Sequence, residues 1–244
     1  MNVNNSENVV FSKKGKLKFL IGLFLKTVYW FTGLSFFFVI LFKWVPVPLT
    51  PLMLIRSGQQ IINGKELRLK HDWVSMKNIS PHMQLAAVCS EDQNFFTHHG
   101  IDFGAMEKAV NESKKKNGKL RGASTISQQT AKNVFLWPQR SWVRKGLEVW
   151  FTGLIELIWG KKRILEVYLN SIEMGNGIYG AEAASKYYFN VKASELTKYQ
   201  ATAIVAIFPS PLKWNARNPG PYVQSRIDWI NRQMKLHSPL PYKH

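Results

Sequence analysis

Residues 80–100 read SPHMQLAAVCSEDQNFFTHHG, and this stretch sets both the fold class and the chemistry to look for. Ser80-Pro81 is a helix start, because a serine can cap free backbone N–H groups and proline suits the first turn. Met83, Leu85, Ala86, Ala87 and Val88 follow as an apolar helical segment that delivers Glu91 at its end. Cys89, two residues earlier, reads as a small buried hydrophobe. Two adjacent acids followed by Phe95, His98 and Gly100 are unusual at such a place. Alone, an acidic pair reads as a solvated helix end. A carboxyl group partly withdrawn from water, however, has a raised pKa, which suits a general acid or base.

Helical periodicity continues on the C-terminal side. Between Trp142 and Trp159, apolar residues fall at Val143, Leu147, Phe151, Leu154, Ile155 and Ile158, close to a 3.6-residue repeat. Ile164, Leu165, Tyr168, Leu169 and Ile172 carry it into a further helix. Thr197-x-x-Gln200 ahead of an Ala/Ile/Val run has the form of a capping box, and Pro209 and Pro211 end that helix. Neither strand-like alternation nor an internal repeat is prominent, so the fold class is mainly α. The stretch Glu112 to Arg121, polar, basic and glycine-containing, reads as a loop. It is either simply solvated or in contact with anionic head groups or a pyrophosphate.

On the N-terminal side, Phe19 to Phe42 form a 24-residue apolar run whose only charge is Lys26. A helix of that length crosses a hydrocarbon core of roughly 30 Å. Pro46, Pro48 and Pro51 follow, and no short h-region with a small-residue cleavage site is present, so the run reads as an uncleaved signal anchor. Lys13, Lys14, Lys16 and Lys18 precede it and only Lys43 and Arg56 follow closely, which keeps the N-terminus cytoplasmic. The expected organisation is a basic N-terminus at 1–18, the transmembrane anchor at 19–42, a Pro-rich linker at 43–60 and a catalytic domain at 61–244.

The 244 residues suit one anchored domain, without room for a second large one. A net charge of +18 favours an anionic partner, whether nucleic acid, an acidic membrane surface or a phosphate-bearing substrate. The single cysteine excludes an internal disulfide.

Three further segments carry polar side chains in helical register. In Arg121-Gly122-Ala123-Ser124-Thr125-Ile126-Ser127-Gln128-Gln129-Thr130-Ala131-Lys132-Asn133, a helix from about Ser124 puts Thr125, Gln128 or Gln129, and Lys132 on one face. Arg144 and Lys145 in Arg140-Ser-Trp-Val-Arg144-Lys145-Gly-Leu-Glu148 lie within one turn of Glu148. That set is either a surface ion-pair cluster of little worth or a carboxylate held beside cations that bind a pyrophosphate. Lys161-Lys162-Arg163-Ile164-Leu165-Glu-Val-Tyr168-Leu169-Asn170 runs on into the glycine-rich Glu173-Met-Gly175-Asn-Gly177-Ile-Tyr179-Gly180.

Together these blocks resemble the signature of glycosyltransferase family 51, the peptidoglycan glycosyltransferases. The resemblance spans roughly Leu85 to Pro219, with the blocks in family order, and extends to Ala181-x-x-Ala184, Tyr188-Phe189 and Asn215-x-x-x-Asn218-Pro219. Within the family the chain is most similar to the monofunctional members of Gram-negative bacteria, with one anchor and no transpeptidase domain. Ala123 departs from the pattern where many members have a second glycine. The resemblance implies a lysozyme-like helical domain with a smaller, membrane-facing lobe. It places Glu91 on the catalytic base and Glu148 on a second essential carboxylate. Asp92, Phe95, His98, Thr125, Gln129, Lys132, Arg140, Arg144 and Lys145 fall on cleft positions that support catalysis or bind substrate and pyrophosphate; Asn170 falls on a structural one.

The implied activity is polymerisation of lipid II into β-1,4-linked glycan strands with release of undecaprenyl pyrophosphate, by an inverting enzyme of the periplasmic face of the inner membrane. The implied partners are lipid II, the growing lipid-linked strand, the membrane, and division or elongation machinery, with no nucleic acid. For cofactors, the resemblance leaves open only a divalent cation, Mg2+ or Mn2+, near Glu148. A lytic enzyme on the same scaffold is the main alternative, and the Arg140–Lys145 cations argue against it. A non-enzymatic basic membrane protein would not require paired carboxylates. A transpeptidase is excluded because Ser210-x-x-Lys213 has no SDN or KTG partner.

Overall fold

The computed structural model describes residues 13–115, 124–237 and 239–242. The chain divides into two units between Leu41 and Phe42. The first consists of most of α1 (Lys13–Trp44), whose segment Gly15–Trp44 is long and apolar enough to cross a membrane. It fits the expected single-pass anchor. The segment read as a linker carries a helix of its own, α2 (Pro51–Ile62), with Pro51 in its first turn and the Thr50 hydroxyl accepting from the Met53 N–H.

Eight further α-helices follow among the described residues: α3 (Pro81–Glu91), α4 (Phe103–Lys115), α5 (Ile126–Phe135), α6 (Trp142–Ile158), α7 (Lys161–Ser171), α8 (Ala181–Phe189), α9 (Lys198–Ala206) and α10 (Pro221–Leu236). The mainly α expectation is met. Helix α5 packs between α6 and α7, while α3 packs on α9 and α10. Met83, Ala86, Ala87, Val88 and Cys89 of α3 are fully buried, as are Ile164, Leu165 and Leu169 of α7. Burying each large side chain contributes roughly 1.5–3 kcal/mol, which sets the helices around one core.

Three local expectations change. Ser80 does not cap α3 with its side chain; its hydroxyl donates to the Leu196 carbonyl at 2.9 Å and ties α3 to the start of α9. Glu112 to Lys115 belong to α4 rather than to a loop, and the rest of that basic segment, with Arg121, Gly122 and Ala123, lies outside the described residues. A small sheet is also present, ordered β1-β3-β2. Strand β1 (Lys70–His71) runs parallel to β3 (Ile178–Tyr179), and β2 (Glu173–Gly175) runs antiparallel to it, with Glu173 opposite Tyr179. Strands of two or three residues are too short to show alternation. Gly177, at φ +69°, makes the turn between β2 and β3; a Cβ there would meet the Arg68 carbonyl oxygen at 2.2 Å. Gln200 and Thr197 form the expected capping box of α9.

Asn170 is fully buried at the end of α7. Its amide donates to the Val74 and Glu166 carbonyls at 2.9 and 2.8 Å, and its side-chain oxygen accepts from Val74 N–H at 3.0 Å. It therefore fixes the segment after β1 to α7, a structural role.

Candidate active site

Helix α3 ends at Glu91, and the backbone then turns away through Asp92. The Asp92 carboxylate is buried and accepts from the Ile126 N–H at 2.9 Å, at the N-terminus of α5. An anion is stabilised there by the free N–H groups and the helix dipole. It also accepts from His98 Nε2 at 2.9 Å. Nδ1 of His98 accepts from the Gly100 N–H at 3.1 Å, which leaves the ring proton on Nε2, facing Asp92. Thr125 caps α5: its Oγ1 accepts from Gln128 N–H at 3.1 Å and donates to the Gly100 carbonyl at 2.6 Å. Gly100 takes φ +92° and admits no side chain, because a Cβ would lie 2.8 Å from Thr152 Cγ2.

Asp92, His98, Gly100 and Thr125 thus clamp the end of α3 to the start of α5. Phe95 is fully buried beneath them, with the Lys161 ammonium 4.7 Å from its ring centroid. Of the cleft positions expected to support catalysis or bind substrate and pyrophosphate, Asp92, Phe95, His98 and Thr125 have largely buried side chains. The polar groups of Asp92, His98 and Thr125 are partnered within the protein, which fits a supporting role, and Asp92 and Thr125 also line a further cavity of about 320 Å3 beside Glu91. Thr125 does not share a helical face with Lys132, because it precedes the helix as its cap.

Glu91 is half-buried and faces a cavity of about 980 Å3 lined also by Gln129, Lys132, Phe208, Trp214 and Arg226. Gln129 of α5 donates Nε2–H to Glu91 Oε2 at 3.2 Å, and the Tyr168 hydroxyl of α7 donates to Gln129 Oε1 at 3.3 Å. Burial, and then the nearby Glu91 and Asp92 charges, push the Tyr168 hydroxyl well above its ordinary range. Tyr168 therefore keeps its proton and donates it to Gln129 Oε1, an arrangement in which the N–H side of the Gln129 amide meets Glu91. The other carboxylate oxygen, Oε1, accepts from the Ser90 hydroxyl at 3.1 Å.

A second cavity of about 360 Å3 adjoins the first, sharing Ser124, Gln129 and Lys132 as walls. Its remaining lining includes Arg140, Arg144, Lys145 and Glu148. Arg144 Nη1 lies 2.7 Å from Glu148 Oε2, and Lys145 Nζ lies 2.5 Å from Oε1. Glu148 is 4% exposed and Arg144 8%, so this is not a surface ion-pair cluster. Arg144 Nε is buried with no hydrogen-bond partner. Burial holds the Lys132 ammonium below the ordinary lysine range; Glu148 opposes that effect and Arg144, Lys145 and Arg140 reinforce it. Both carboxylates therefore lie on adjoining parts of one cleft.

The donor set does not suit the divalent ion left open near Glu148. Both of its oxygens already face cations, and no group of three His, Cys, Asp or Glu side chains converges among the described residues. Ser90, Phe208, Trp214, Tyr222 and Arg226 line the cleft without having been marked by any of the sequence blocks as site residues. Ser90 adjoins Glu91 in sequence, but nothing local connects Arg226 to it.

A half-open carboxylate beside a nest of cations is the arrangement of a group-transfer site with an anionic leaving group. The chain belongs to the transglycosylase family, whose model matches residues 58–235, and it is an enzyme of the glycosyltransferase class. It is 50% identical over 209 residues to the biosynthetic peptidoglycan transglycosylase of Pseudomonas putida, covering 86% of this chain and 88% of that one. The protein of that name from Bacteroides thetaiotaomicron is 56% identical over 198 residues, with 81% and 79% covered. That of Pseudomonas aeruginosa is 48% identical over 209 residues, with 86% and 90% covered.

Proposed function

We propose that the chain polymerises lipid II into β-1,4-linked glycan strands and releases undecaprenyl pyrophosphate. The observation that carries this reading is the placing of Glu91 on one cavity and of Lys132, Arg140, Arg144 and Lys145 on or around its neighbour. Glu91 accepts the proton of the acceptor sugar's 4-hydroxyl as that oxygen attacks the anomeric carbon of the growing strand. The bond to the pyrophosphate oxygen breaks on the opposite side, with inversion, as an in-line displacement requires. The cations neutralise the departing pyrophosphate, and bidentate Arg144 suits its oxygens. Glu148 holds Arg144 and Lys145 in place. Asp92, His98, Thr125 and buried Phe95 hold the wall that carries Glu91, and Gln129 orients its carboxylate.

The names of the relatives and the family support this substrate class, and a strand-cleaving enzyme has no use for a cationic pyrophosphate site. The anchor and the basic residues preceding it favour a single pass through the inner membrane with the catalytic domain in the periplasm. Division or elongation machinery would be its neighbours there. Incubation with labelled lipid II tests the reading: the expected products are long glycan strands. Release of fragments from polymeric peptidoglycan, with no product from lipid II, would overturn it.

A further inference from the structure

The two donors to Glu91 are themselves held by different partners. Gln129 is turned by the neutral Tyr168 hydroxyl. Ser90, on the other oxygen, lies 3.4 Å from Arg226 Nη2 on α10. A serine hydroxyl has one proton and two lone pairs, so it can either donate to Glu91 or rotate and point elsewhere. A guanidinium can only donate. With Arg226 occupying a lone pair of Ser90 Oγ, the single proton is directed to Glu91 Oε1, where the 3.1 Å contact is found. Arg226 is fixed in turn by Nε–H donation to the Ala206 carbonyl at 3.0 Å, at the end of α9. The linkage joins α10, α9 and α3 at the one carboxylate.

We propose that Arg226 is a positioning residue for Glu91, acting through the Ser90 hydroxyl. This rests on the reading of Glu91 as the base. Without the guanidinium, the hydroxyl is free to rotate and the carboxylate loses the donor that sets its second oxygen. A base whose lone pairs are no longer aimed at the acceptor hydroxyl turns over more slowly while substrate binding persists. The effect belongs in kcat rather than KM.

The test is lipid II polymerisation by the full-length protein in detergent micelles, for wild type, Ser90→Ala, Arg226→Lys, Arg226→Gln and the double variant Ser90→Ala/Arg226→Gln. Ser90→Ala and Arg226→Gln are each expected to lower kcat about five- to tenfold, the size of one hydrogen bond. KM should stay within about twofold, and Arg226→Lys should recover most of the rate, because it keeps a charged donor. The double variant should be no slower than the slower single one, since both break the same linkage. Losses that multiply, or a raised KM with unchanged kcat, would show Arg226 acting on substrate directly and overturn the proposal. Arg226→Gln also loosens the Ala206 contact. Ser90→Ala leaves it intact, so wild-type kcat in that variant overturns the proposal whatever the stability of the other. A wild type that makes no strands defeats the reading of Glu91 itself, whereas an active wild type with multiplying losses defeats only the positioning role.

Discussion

Glu91 and Glu148 are the same side chain on the two adjoining parts of one cleft, and their surroundings are opposite. Glu91 is half-open and held by two neutral donors, the Gln129 amide and the Ser90 hydroxyl. Glu148 is buried, with a cation on each oxygen. Neutral donors orient a carboxylate without removing its capacity to accept a proton. A guanidinium and an ammonium occupy one Glu148 oxygen each. The contrast fits the proposed roles, proton transfer for Glu91 and ordering of the cations for Glu148.

The contrast breaks most visibly at Glu91. Glu91→Gln should lower the polymerisation rate by about 10²–10⁴-fold, the usual contribution of a positioned base. Its unfolding temperature should stay near that of wild type, because no buried charge is left unpaired. Glu148→Gln should lower both quantities. Removing one partner of the buried Arg144 pair costs about 3–5 kcal/mol, and about 1 kcal/mol corresponds to a few degrees for a chain of this size. Thermal unfolding alongside the activity assay separates the two variants.

Lys132 links the two ends and gives the contrast a pH dependence. Burial, opposed by Glu148 and reinforced by the other cations, lowers its pKa below the ordinary lysine value of 10.5. The folded chain therefore releases this proton at a lower pH than the unfolded chain does. Stability from this group is present above that window and is lost as pH falls through it. Anion binding runs the other way: inhibition by inorganic pyrophosphate should weaken as pH rises, before an ordinary lysine would titrate. Lys132→Arg should keep the inhibition at high pH, since arginine stays charged. The smallest effect is expected at Tyr168. Tyr168→Phe frees the Gln129 amide to flip and should slow polymerisation about fivefold, again the size of one hydrogen bond.

What was legible in the sequence follows from range. Glu91 at the end of α3, the α6 and α7 stripes and the Arg144/Lys145/Glu148 turn depend on spacings of three or four residues, and the anchor on one apolar run. All can be read locally. The choice of long-range partner cannot. Ser80 has the residue type of a cap, yet its hydroxyl goes to Leu196. Thr125 has the type of a site hydroxyl, and its donation to the Gly100 carbonyl, 25 positions earlier, has no local signal. The pairing of β1 with β3 joins residues more than 100 positions apart, and the only local trace is Gly177, where the chain passes too close to Arg68 for any side chain. Phe95 and His98 come to the cleft through the family resemblance; their burial, with His98 on Asp92 and Lys161 over the Phe95 ring, has no local sequence signal.

The most direct measurement is the rate of strand formation from labelled lipid II by Glu91→Gln and Glu148→Gln, on preparations whose unfolding temperatures are recorded together. The account predicts that Glu91→Gln loses the rate at wild-type stability while Glu148→Gln loses both. Full activity in Glu91→Gln, or a Glu148→Gln protein that is inactive yet as stable as wild type, would contradict it.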